Sequence, residues 1–484
     1  MSTDASGRDA RRASRAESRR FRRGLAATIG VLAGATAVLG AASLVQGPKL
    51  SDAAIDVERA TRLADSRLVL ELNQPVERVD GSVTVTPAEP AELEIDGSRL
   101  IVSFERPLPY DEEFSVAVDG VVGSAQSTPS TIEHRFTTAD EAVYTLVRRS
   151  PEGGSDVIRR SMIGDPTPAD VLEAPRLRSF AHAGDVVVAV AIEADGTNTL
   201  RVAGLGGATQ TVAFPEPGTV TSIGGSSTQP LVAFAFTESG AGGAEGADAP
   251  AGVDPSAGST LFTLDVSGAA AEPVPVLGAD GAPVSVNDWE FVPGTTSIVI
   301  QDVDGGFLLV DALGLSPTQP LGTHAELRGI LPGTTDLVLA DPDRGSLLDL
   351  ATGESRDNVL PAADLPPDAY PGRVLQLDAE GTHLLEVLLV SPDDEGSVLT
   401  EALLTRVDGS ETVVLHATAA DSRRLASCVS PNGRLVAVET APARAESDDY
   451  PGAPSLVGRL TTVVDIETGA VVLTQNGGFS DWCR

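Results

Sequence analysis

The sequence has very few of the residues on which common catalytic and nucleotide-binding motifs depend. Its 484 residues include two cysteines, two methionines, five histidines and, as the only lysine, Lys49. A phosphate-binding loop of the form G-x-x-x-x-G-K-[ST] therefore cannot be built. The histidines lack the close pairing, such as H-x-x-x-H, that a zinc site requires. They are His134, His182, His324, His383 and His416.

A nucleophile elbow of the form G-x-S-x-G is absent as well. The nearest match, Gly224-Gly225-Ser226-Ser227, lacks the second glycine. These absences exclude P-loop nucleotide hydrolysis and argue against zinc and serine-hydrolase chemistry. We predict no cofactor, no metal site and no catalytic residues from the sequence.

Aromatic residues are scarce, at 4%, but the 42% share of apolar residues is ordinary for a globular chain. Wholesale disorder is therefore excluded. A chain of 484 residues is also much longer than one ordinary domain, which predicts at least two folded units.

Charge of the two signs is separated along the chain. Residues 1–24 carry eight arginines against three acidic residues, a net charge of +5, whereas the remainder has 26 basic and 66 acidic residues, a net charge of −40. Such an acidic surface repels phosphate backbones, so nucleic acid is excluded as a partner. The simplest interpretation of the acidic face is solvation.

An uncharged segment follows the arginines. Residues 24–46, GLAATIGVLAGATAVLGAASLVQ, contain no charged side chain. At a rise of about 1.5 Å per residue, a helix of this length crosses a hydrocarbon core of about 30 Å. The arginines predict a disordered cytoplasmic arm over 1–23 and an ectodomain on the other side. The alternative is a signal peptide cleaved near 40–43, after which the protein would be secreted.

Short alternating segments begin after a spacer predicted over 47–61. Between 62 and 138, six or seven runs alternate apolar and polar residues, among them 68–72, 100–104 and 114–118. Turn sequences rich in Asn, Asp, Gly and Pro separate the runs. The pattern predicts a small β-sandwich.

The same segment resembles a known bacterial domain. Four stretches follow one another in the order and spacing of a bacterial Ig-like domain of the S-layer SbsA type. They are LELNQPVE, VTVTP, EIDGSRLIVSFERPLPYDEEFSVAVDGV and a closing HRFTT. Tyr110 lies where members of that family have a tyrosine before a central strand. The resemblance covers 62–138 and implies a spacer or adhesion module of bacterial surface proteins, without catalytic residues.

A different repeat extends over 142–484. The pattern of strand, tight turn and strand recurs in three segments, 288–300, 327–339 and 425–438. A third strand follows these segments, and in two of the repeats it ends in a D-x-x-T-G turn that leads to a fourth strand. Four strands recurring at about 40 residues are typical of a β-propeller blade. The phrases SPNGRLVAVET and TTVVDIETGAVV resemble WD40-like propeller repeats of the TolB and lactonase kind, which implies the fold and not the chemistry.

Six complete units are visible, and the two chain ends predict a seventh. Segments 143–147 and 156–160 look like strands without an inner partner, and 479–484 looks like an inner strand without outer ones. We expect these to form one blade jointly, with six or eight blades as the alternatives. The six complete units lie near 178–214, 219–277, 284–321, 324–360, 372–417 and 423–476.

The only two cysteines occupy equivalent positions in this repeat. Cys428 and Cys483 both align with Glu290, on the innermost strand of the last complete blade and of the closing blade. An exported chain with an even number of cysteines favours a disulfide between them. Two free thiols are the alternative, because adjacent inner strands can lie too far apart for a bridge.

Two segments break the blade pattern. Residues 238–259 are Gly, Ala, Asp and Pro without apolar periodicity, and 441–451 are strongly polar. We predict flexible loops at both places.

Several acidic and aromatic residues could be mistaken for sites. D-x-D sequences at 302–304 and 341–343 could hold calcium, but further ligands are missing, so Asx turns are predicted. Trp289 and Trp482 are predicted to pack on inner strands and not to stack on sugars.

The sequence thus predicts an all-β protein with a single N-terminal transmembrane helix at 24–46. We expect a non-catalytic protein of the cell envelope, whose propeller presents a surface for an envelope protein or an extracellular ligand. The alternatives are a lactonase-like or lyase-like propeller enzyme and a purely structural spacer. Clustered His, Arg and carboxylates in the central channel would favour the enzyme, and a featureless channel would favour binding.

Overall fold

This computed structural model describes most of the chain. The described residues are 24–36, 47–124, 126–149, 153–204, 209–214, 216–239, 259–268, 272–392, 398–450 and 453–483. Contacts divide them into two compact units. The first comprises residues up to Ile55 with Arg67–Ser103 and Phe114–Phe136, and the second comprises Asp56–Ser66, Phe104–Glu113 and Thr137–Arg484.

The predicted membrane segment is described only in part. Helix α1 covers 24–36, whereas 37–46 and the arginine arm at 1–23 lie outside the described residues. Within the described ranges, no helix is long and apolar enough to cross a membrane.

The first unit consists of two antiparallel sheets, with strand orders β1-β2-β6-β5 and β3-β7-β4, and with β8 also paired to β7. In β2, Leu68, Leu70 and Leu72 are buried while the residues between them are less so. This period of two places one apolar face of the sheet in a core. The strands are β1 (Leu50–Ala54), β2 (Ser66–Leu72), β3 (Val76–Val79), β4 (Val83–Thr86), β5 (Ala91–Asp96), β6 (Arg99–Phe104), β7 (Glu113–Gly123) and β8 (Gln126–Thr137).

The segment predicted as a spacer, 47–61, is more regular than expected. It contains β1, which pairs with β2 through Ala53 and Leu70, and the one-turn helix α2 (Val57–Ala60). Asp56 caps this helix by accepting a hydrogen bond from the Arg59 backbone N–H. Both elements are too short for their periodicity to be visible in the sequence.

The described residues of the second unit form six antiparallel sheets, one of which has eight strands and comprises two successive meanders, so that seven meanders, here called blades, follow one another as in a β-propeller. Blade one has β9 (Ala142–Val147), β10 (Asp156–Met162) and β11 (Ala169–Ala174). Blade two has β12 (Leu177–Ala183), β13 (Val186–Ile192), β14 (Asn198–Gly204) and β15 (Thr209–Val212). Blade three has β16 (Gly218–Gly225), β17 (Leu231–Glu238), β18 (Ser259–Asp265) and β19 (Val274–Pro275).

The remaining four blades are complete four-stranded meanders. Blade four has β20 (Ser285–Phe291), β21 (Ser297–Asp302), β22 (Gly306–Asp311) and β23 (Gln319–Thr323). Blade five has β24 (Glu326–Ile330), β25 (Asp336–Asp341), β26 (Arg344–Asp349) and β27 (Ser355–Asn358). Blade six has β28 (Ala369–Gln376), β29 (His383–Pro392), β30 (Val398–Asp408) and β31 (Glu411–Ala417). Blade seven has β32 (Ser422–Val429), β33 (Leu435–Pro442), β34 (Leu460–Asp465) and β35 (Val471–Asn476). The all-β prediction is confirmed.

The C-terminal segment lies along the inner side of blade one. Gly478 forms a β-bridge with Leu146 of β9, with N···O distances of 2.8 and 3.1 Å. Blade seven also contacts blade one, because the Gln475 side-chain amide donates to the Val143 carbonyl at 3.3 Å. The two chain ends therefore meet in one blade, which closes the ring of sheets.

Tight turns join the first and second strands of the repeated units. Gly294 and Gly333 lie in these turns with φ of 77° and 73°. A side chain rarely adopts this left-handed conformation, so glycine is required there. The Pro-Gly-Thr-Thr repeat seen in the sequence is thus the signature of these turns.

One of the two predicted flexible loops, 441–451, is described up to residue 450. Several of its residues are exposed, but Asp448 and Tyr450 are buried. The Tyr450 hydroxyl donates to Asp156 at 2.6 Å, and Arg148 pairs with Asp448 at 3.0 Å. Two polar residues of this segment therefore have buried partners, and its flexibility stays a prediction. The other prediction, 238–259, falls mainly on 240–258, outside the described residues.

Candidate functional site

The first strands of the blades surround a central channel. Its cavity measures about 390 Å³. Blades two to seven and the C-terminal segment beside blade one contribute to the wall. One lining residue from each of blades two to seven, in that order, is His182, Ser222, Trp289, Arg328, Gln376 and Cys428, and the C-terminal segment contributes Asp481. Side chains far apart in sequence are therefore brought together here.

Two segments outside the repeats lie against one rim of the channel. They are 56–66 and 104–113, both part of the second unit. The Ala64 backbone N–H donates to the Gly333 carbonyl at 2.8 Å, and the Asn432 side-chain amide donates to the Leu108 carbonyl at 3.2 Å. Gly333 and Asn432 belong to turns between first and second strands, so this rim is the one where those turns lie.

A cluster of four ionisable side chains lies in the channel wall. Arg62, from the segment against the rim, is 3.3 Å from Glu141. His182 Nε2 is 2.6 Å from Asp481 Oδ2. The Tyr144 ring stacks on His182 with 4.6 Å between ring centroids. Each charged group therefore has an opposite charge beside it.

Burial and neighbouring charges shift the pKa values of this cluster. Burial lowers the pKa of His182, but the charges of Asp481 and Glu141 more than offset burial and the pKa is raised above 6.5. Burial raises the pKa of Glu141 above its ordinary value, although Arg62 opposes the shift. Burial also raises the pKa of Tyr144 to about 12. His182 is thus favoured in its charged form.

The contribution of His182 and Glu141 to the stability of the second unit is expected to fall as the pH rises. A raised folded-state pKa means that the folded state holds the proton more tightly, so the contribution of His182 is full below about pH 6.5 and is lost as pH rises through its higher folded value. Glu141, also raised, acts in the same direction from about pH 4.5 upward. Denaturant unfolding between pH 5 and 9 should show this slope, and His182→Gln should flatten it above pH 6.5. The variant His134→Gln, in the first unit, is the control; equal slopes for all three proteins would contradict the prediction.

The geometry of His182 limits what it can do chemically. Its Nδ1 is 3.1 Å from the Gly184 carbonyl oxygen, which can only accept, so Nδ1 carries a proton. Its Nε2 faces the Asp481 carboxylate. In the protonated form that its neighbours favour, His182 has no lone pair to accept a proton, so in that form it does not act as a general base. The wall offers hydrogen bonds and balanced charge.

The two cysteines are joined in a disulfide. The Cα atoms of Cys428 and Cys483 are 5.1 Å apart, within the usual range for a bridge. Adjacent inner strands can lie too far apart for a bridge, but here the C-terminal segment approaches blade seven closely enough. The bridge fixes the C-terminal segment, which carries Asp481 and Trp482, against the channel.

The other residues singled out in the sequence have structural roles. Trp289 is buried with Phe291 at 5.9 Å and donates from Nε1 to Ser222 at 3.2 Å, as packing predicts, although both tryptophans also line the channel. Asp302 accepts from the Asp304 and Gly306 backbone N–H groups, which is an Asx turn. Among the residues that the structure describes, no group of three or more potential ligands could hold a metal ion.

Sequence reasoning missed most of this cluster. Arg62 and Glu141 lie outside the repeat units, so no register connected them with the channel. The sequence does contain one signal for the channel wall: Asp-Trp occurs twice, at 288–289 and at 481–482. It marks equivalent positions in the repeat and does not reveal the pairing of Asp481 with His182.

Comparisons with known proteins show no family for this chain. No family model matches the chain, and no curated protein matches it. Solved structures that resemble it are TolB-like and lactonase-like β-propeller proteins. A putative TolB from Agrobacterium tumefaciens is 12% identical, with a TM-score of 0.31 over 70% of this chain and 91% of that one. A putative 6-phosphogluconolactonase from Bacteroides fragilis is 9% identical, with a TM-score of 0.36 over 70% and 94%.

An oligogalacturonate lyase in complex with manganese is also similar. It is 13% identical, with a TM-score of 0.32 over 60% of this chain and 72% of that one. The similar structures therefore include both TolB-like proteins and enzymes. At such low identity and TM-score, none of them carries an argument about activity.

Proposed function

We propose that this chain is a non-catalytic protein of the cell envelope whose propeller binds a protein or ligand outside the cytoplasm. The single observation that carries the proposal is the channel. It offers a polar wall from blades two to seven and the C-terminal segment, in which Arg62 is paired with Glu141 and His182 with Asp481. Paired charges of this kind present hydrogen-bonding groups to a ligand without a free base for chemistry.

The location is part of the same proposal. Residues 24–46 anchor the chain in the membrane, the arginines at 1–23 remain cytoplasmic, and the acidic remainder lies outside. Secretion after cleavage near 40–43 is the alternative. Residues 62–138 act as a spacer of the SbsA Ig-like type. The two antiparallel sheets of the first unit support only the coarser part of that assignment, an all-β fold.

An enzyme is the second candidate, and a specific observation favours it. His182, Arg62, Glu141 and Asp481 cluster in the channel, which is the arrangement that would favour a lactonase-like or lyase-like enzyme. We place it second because both nitrogens of His182 are engaged. Acid release from a lactone, followed by pH-stat titration and abolished by His182→Gln, would establish the enzyme instead.

The binding proposal predicts a partner on the propeller at the intact cell surface. A photo-crosslinking residue at Ser227, which lines the channel, should yield a discrete adduct in whole cells producing the full-length chain. The matched control places the same group at Thr84, in β4 of the first unit. A membrane-impermeant, amine-reactive biotin reagent should label the same protein at Lys49, its only lysine, because the chain from residue 48 onward is proposed to lie outside.

The outcomes separate the remaining alternatives. An adduct at Ser227 and none at Thr84 supports binding by the propeller. Adducts at Thr84 alone would assign recognition to the first unit, and no adduct at either position would support a purely structural spacer. Failure of the impermeant reagent to label the chain would overturn the location.

A further inference from the structure

One boundary between blades differs from the other six. At six boundaries, buried apolar residues of both neighbouring blades belong to one shared cluster, as Leu384 of blade six and Val436 of blade seven do. At the boundary of blades five and six, the described residues form two separate clusters. Leu331, Val338 and Leu347 belong to blade five alone, and the other cluster belongs to blade six and its preceding segment.

A cleft occupies this boundary instead of a continuous apolar core. It measures about 190 Å³ and lies between β24, β25, β26 and β27 of blade five and β28 of blade six. Its polar residues include Arg328, Arg344, Asn358 and Gln376. The wall also has apolar residues, such as Leu360 and Val374, so the cleft offers both charge and an apolar surface.

A pair of side-chain amides bridges the two blades across the cleft. Asn358 Nδ2 donates to Gln376 Oε1 at 2.7 Å, and Gln376 Nε2 donates to Asn358 Oδ1 at 3.3 Å. Hydrogen bonds of this type can be exchanged for bonds to a polar ligand at little cost, because their net contribution is about 0.5–1.5 kcal/mol each. An apolar core could not be exchanged in this way.

The cleft is also locally basic in a chain with a large negative charge. Two arginines line it, with one acidic residue, Asp341. The Asp341 carboxylate is already engaged by His324 at 3.1 Å and by the Ala325 backbone N–H at 3.1 Å. Arg328 and Arg344 have 44% and 63% of their side chains exposed; Arg328 lies 3.1 Å from the exposed Glu326, and Arg344 lies 3.9 Å from Asp341. Their guanidinium groups can therefore reach a ligand.

We propose that the cleft between blades five and six is a binding site for a small molecule that carries a carboxylate or phosphate group. Guanidinium groups bind both oxyanions through paired N–H donors. The amide pair supplies further hydrogen bonds, and the apolar wall accommodates the carbon skeleton. Arg328 and Gln376 line both the cleft and the central channel, whereas Arg344, Asn358, Leu360 and Val374 line the cleft alone.

Calorimetric titration of the full-length chain tests the proposal with two probes, inorganic phosphate and succinate. Each is titrated at constant ionic strength, made up with sodium chloride, so that general screening does not change. At least one probe is expected to bind with saturation at one site. Loss of a charge-assisted hydrogen bond costs about 1.5–3 kcal/mol, so Arg344→Gln should weaken binding by about tenfold or more.

Two control variants make the result specific. Arg356→Gln removes an exposed arginine of the same blade that pairs with Asp336 and does not line the cleft, and it should leave the affinity unchanged. Arg373→Gln removes an arginine that lines the channel but not the cleft. All three side chains are at the surface, so the variants are expected to fold. Circular dichroism of each variant checks this.

Each outcome of these titrations either supports or contradicts the proposed site. Binding of one probe only identifies the oxyanion, and binding of both leaves the shared chemistry as the assignment. If neither probe binds, or if Arg344→Gln binds as well as the unaltered chain, the proposal is wrong. If Arg373→Gln abolishes binding and Arg344→Gln does not, the oxyanion lies in the channel, which would leave the proposed binding function intact and overturn only the cleft.

Discussion

Replacement of Arg148 by methionine is expected to lower the free energy of unfolding by about 3–5 kcal/mol. Arg148 and Asp448 are 3.0 Å apart with only 5% and 3% of their side chains exposed. Arg148 also donates to the Ala453 carbonyl, and its guanidinium lies 4.3 Å from the centre of the Tyr450 ring. Without the arginine, Asp448 remains buried as an unpaired charge. Denaturant unfolding monitored by circular dichroism measures the loss.

The neighbouring pair provides a matched control. Arg176 and Asp449 are 2.8 Å apart, but 36% and 54% of their side chains are exposed. Exposed pairs contribute about 0–1 kcal/mol, so Arg176→Met should have a small effect. The double variant Arg148→Met/Asp448→Asn should recover part of the loss, since the unpaired charge is gone. Equal losses for Arg148→Met and Arg176→Met would contradict the argument from burial.

Removal of the disulfide is expected to have an effect of similar size. Cys428 and Cys483 enclose a loop with a sequence separation of 55. The chain-entropy model gives about 4 kcal/mol for a loop of that length, and removal of native disulfides commonly costs about 2–5 kcal/mol. The variants Cys428→Ser and Cys483→Ser should each lose this amount under non-reducing conditions. The measurement is again the free energy of unfolding.

Reduction of the unaltered protein is the internal control. In the presence of a reductant, the unaltered chain and the double serine variant should unfold at the same denaturant concentration. If the serine variants match the unaltered chain without reductant, the bridge makes no contribution. A disulfide of this kind is stable in oxidising compartments, so its presence in protein taken from cells would also agree with the proposed location.

Several features of the second unit can be predicted from residues whose conformation depends on their neighbours in the sequence. Gly294 and Gly333 are needed for left-handed turns, so the turn between the first two strands recurs in the sequence at each blade where it is tight. The Asx turn at Asp302 is likewise local. Cys428 and Cys483 fall at equivalent places in the repeat. Such features depend on neighbouring residues, which is why sequence reasoning finds them.

Other features depend on residues that meet only in the folded chain. Tyr450 and Asp448 lie in a polar segment that looks flexible, yet their partners Asp156 and Arg148 are about 300 positions away in the sequence. Arg62 and Glu141 are similar, since neither belongs to a blade. No local pattern can reveal a partner at such a distance.

The sequence by itself determined the all-β class, the blade repeat and the charge separation at the N-terminus. These follow from periodicity, turn chemistry and composition, which act within a few residues. The tertiary structure alone decided which charges pair in the channel and that blades five and six share no apolar cluster within the described residues. Both depend on packing between strands far apart in the chain, because a side chain's partner is set by the geometry of neighbouring blades.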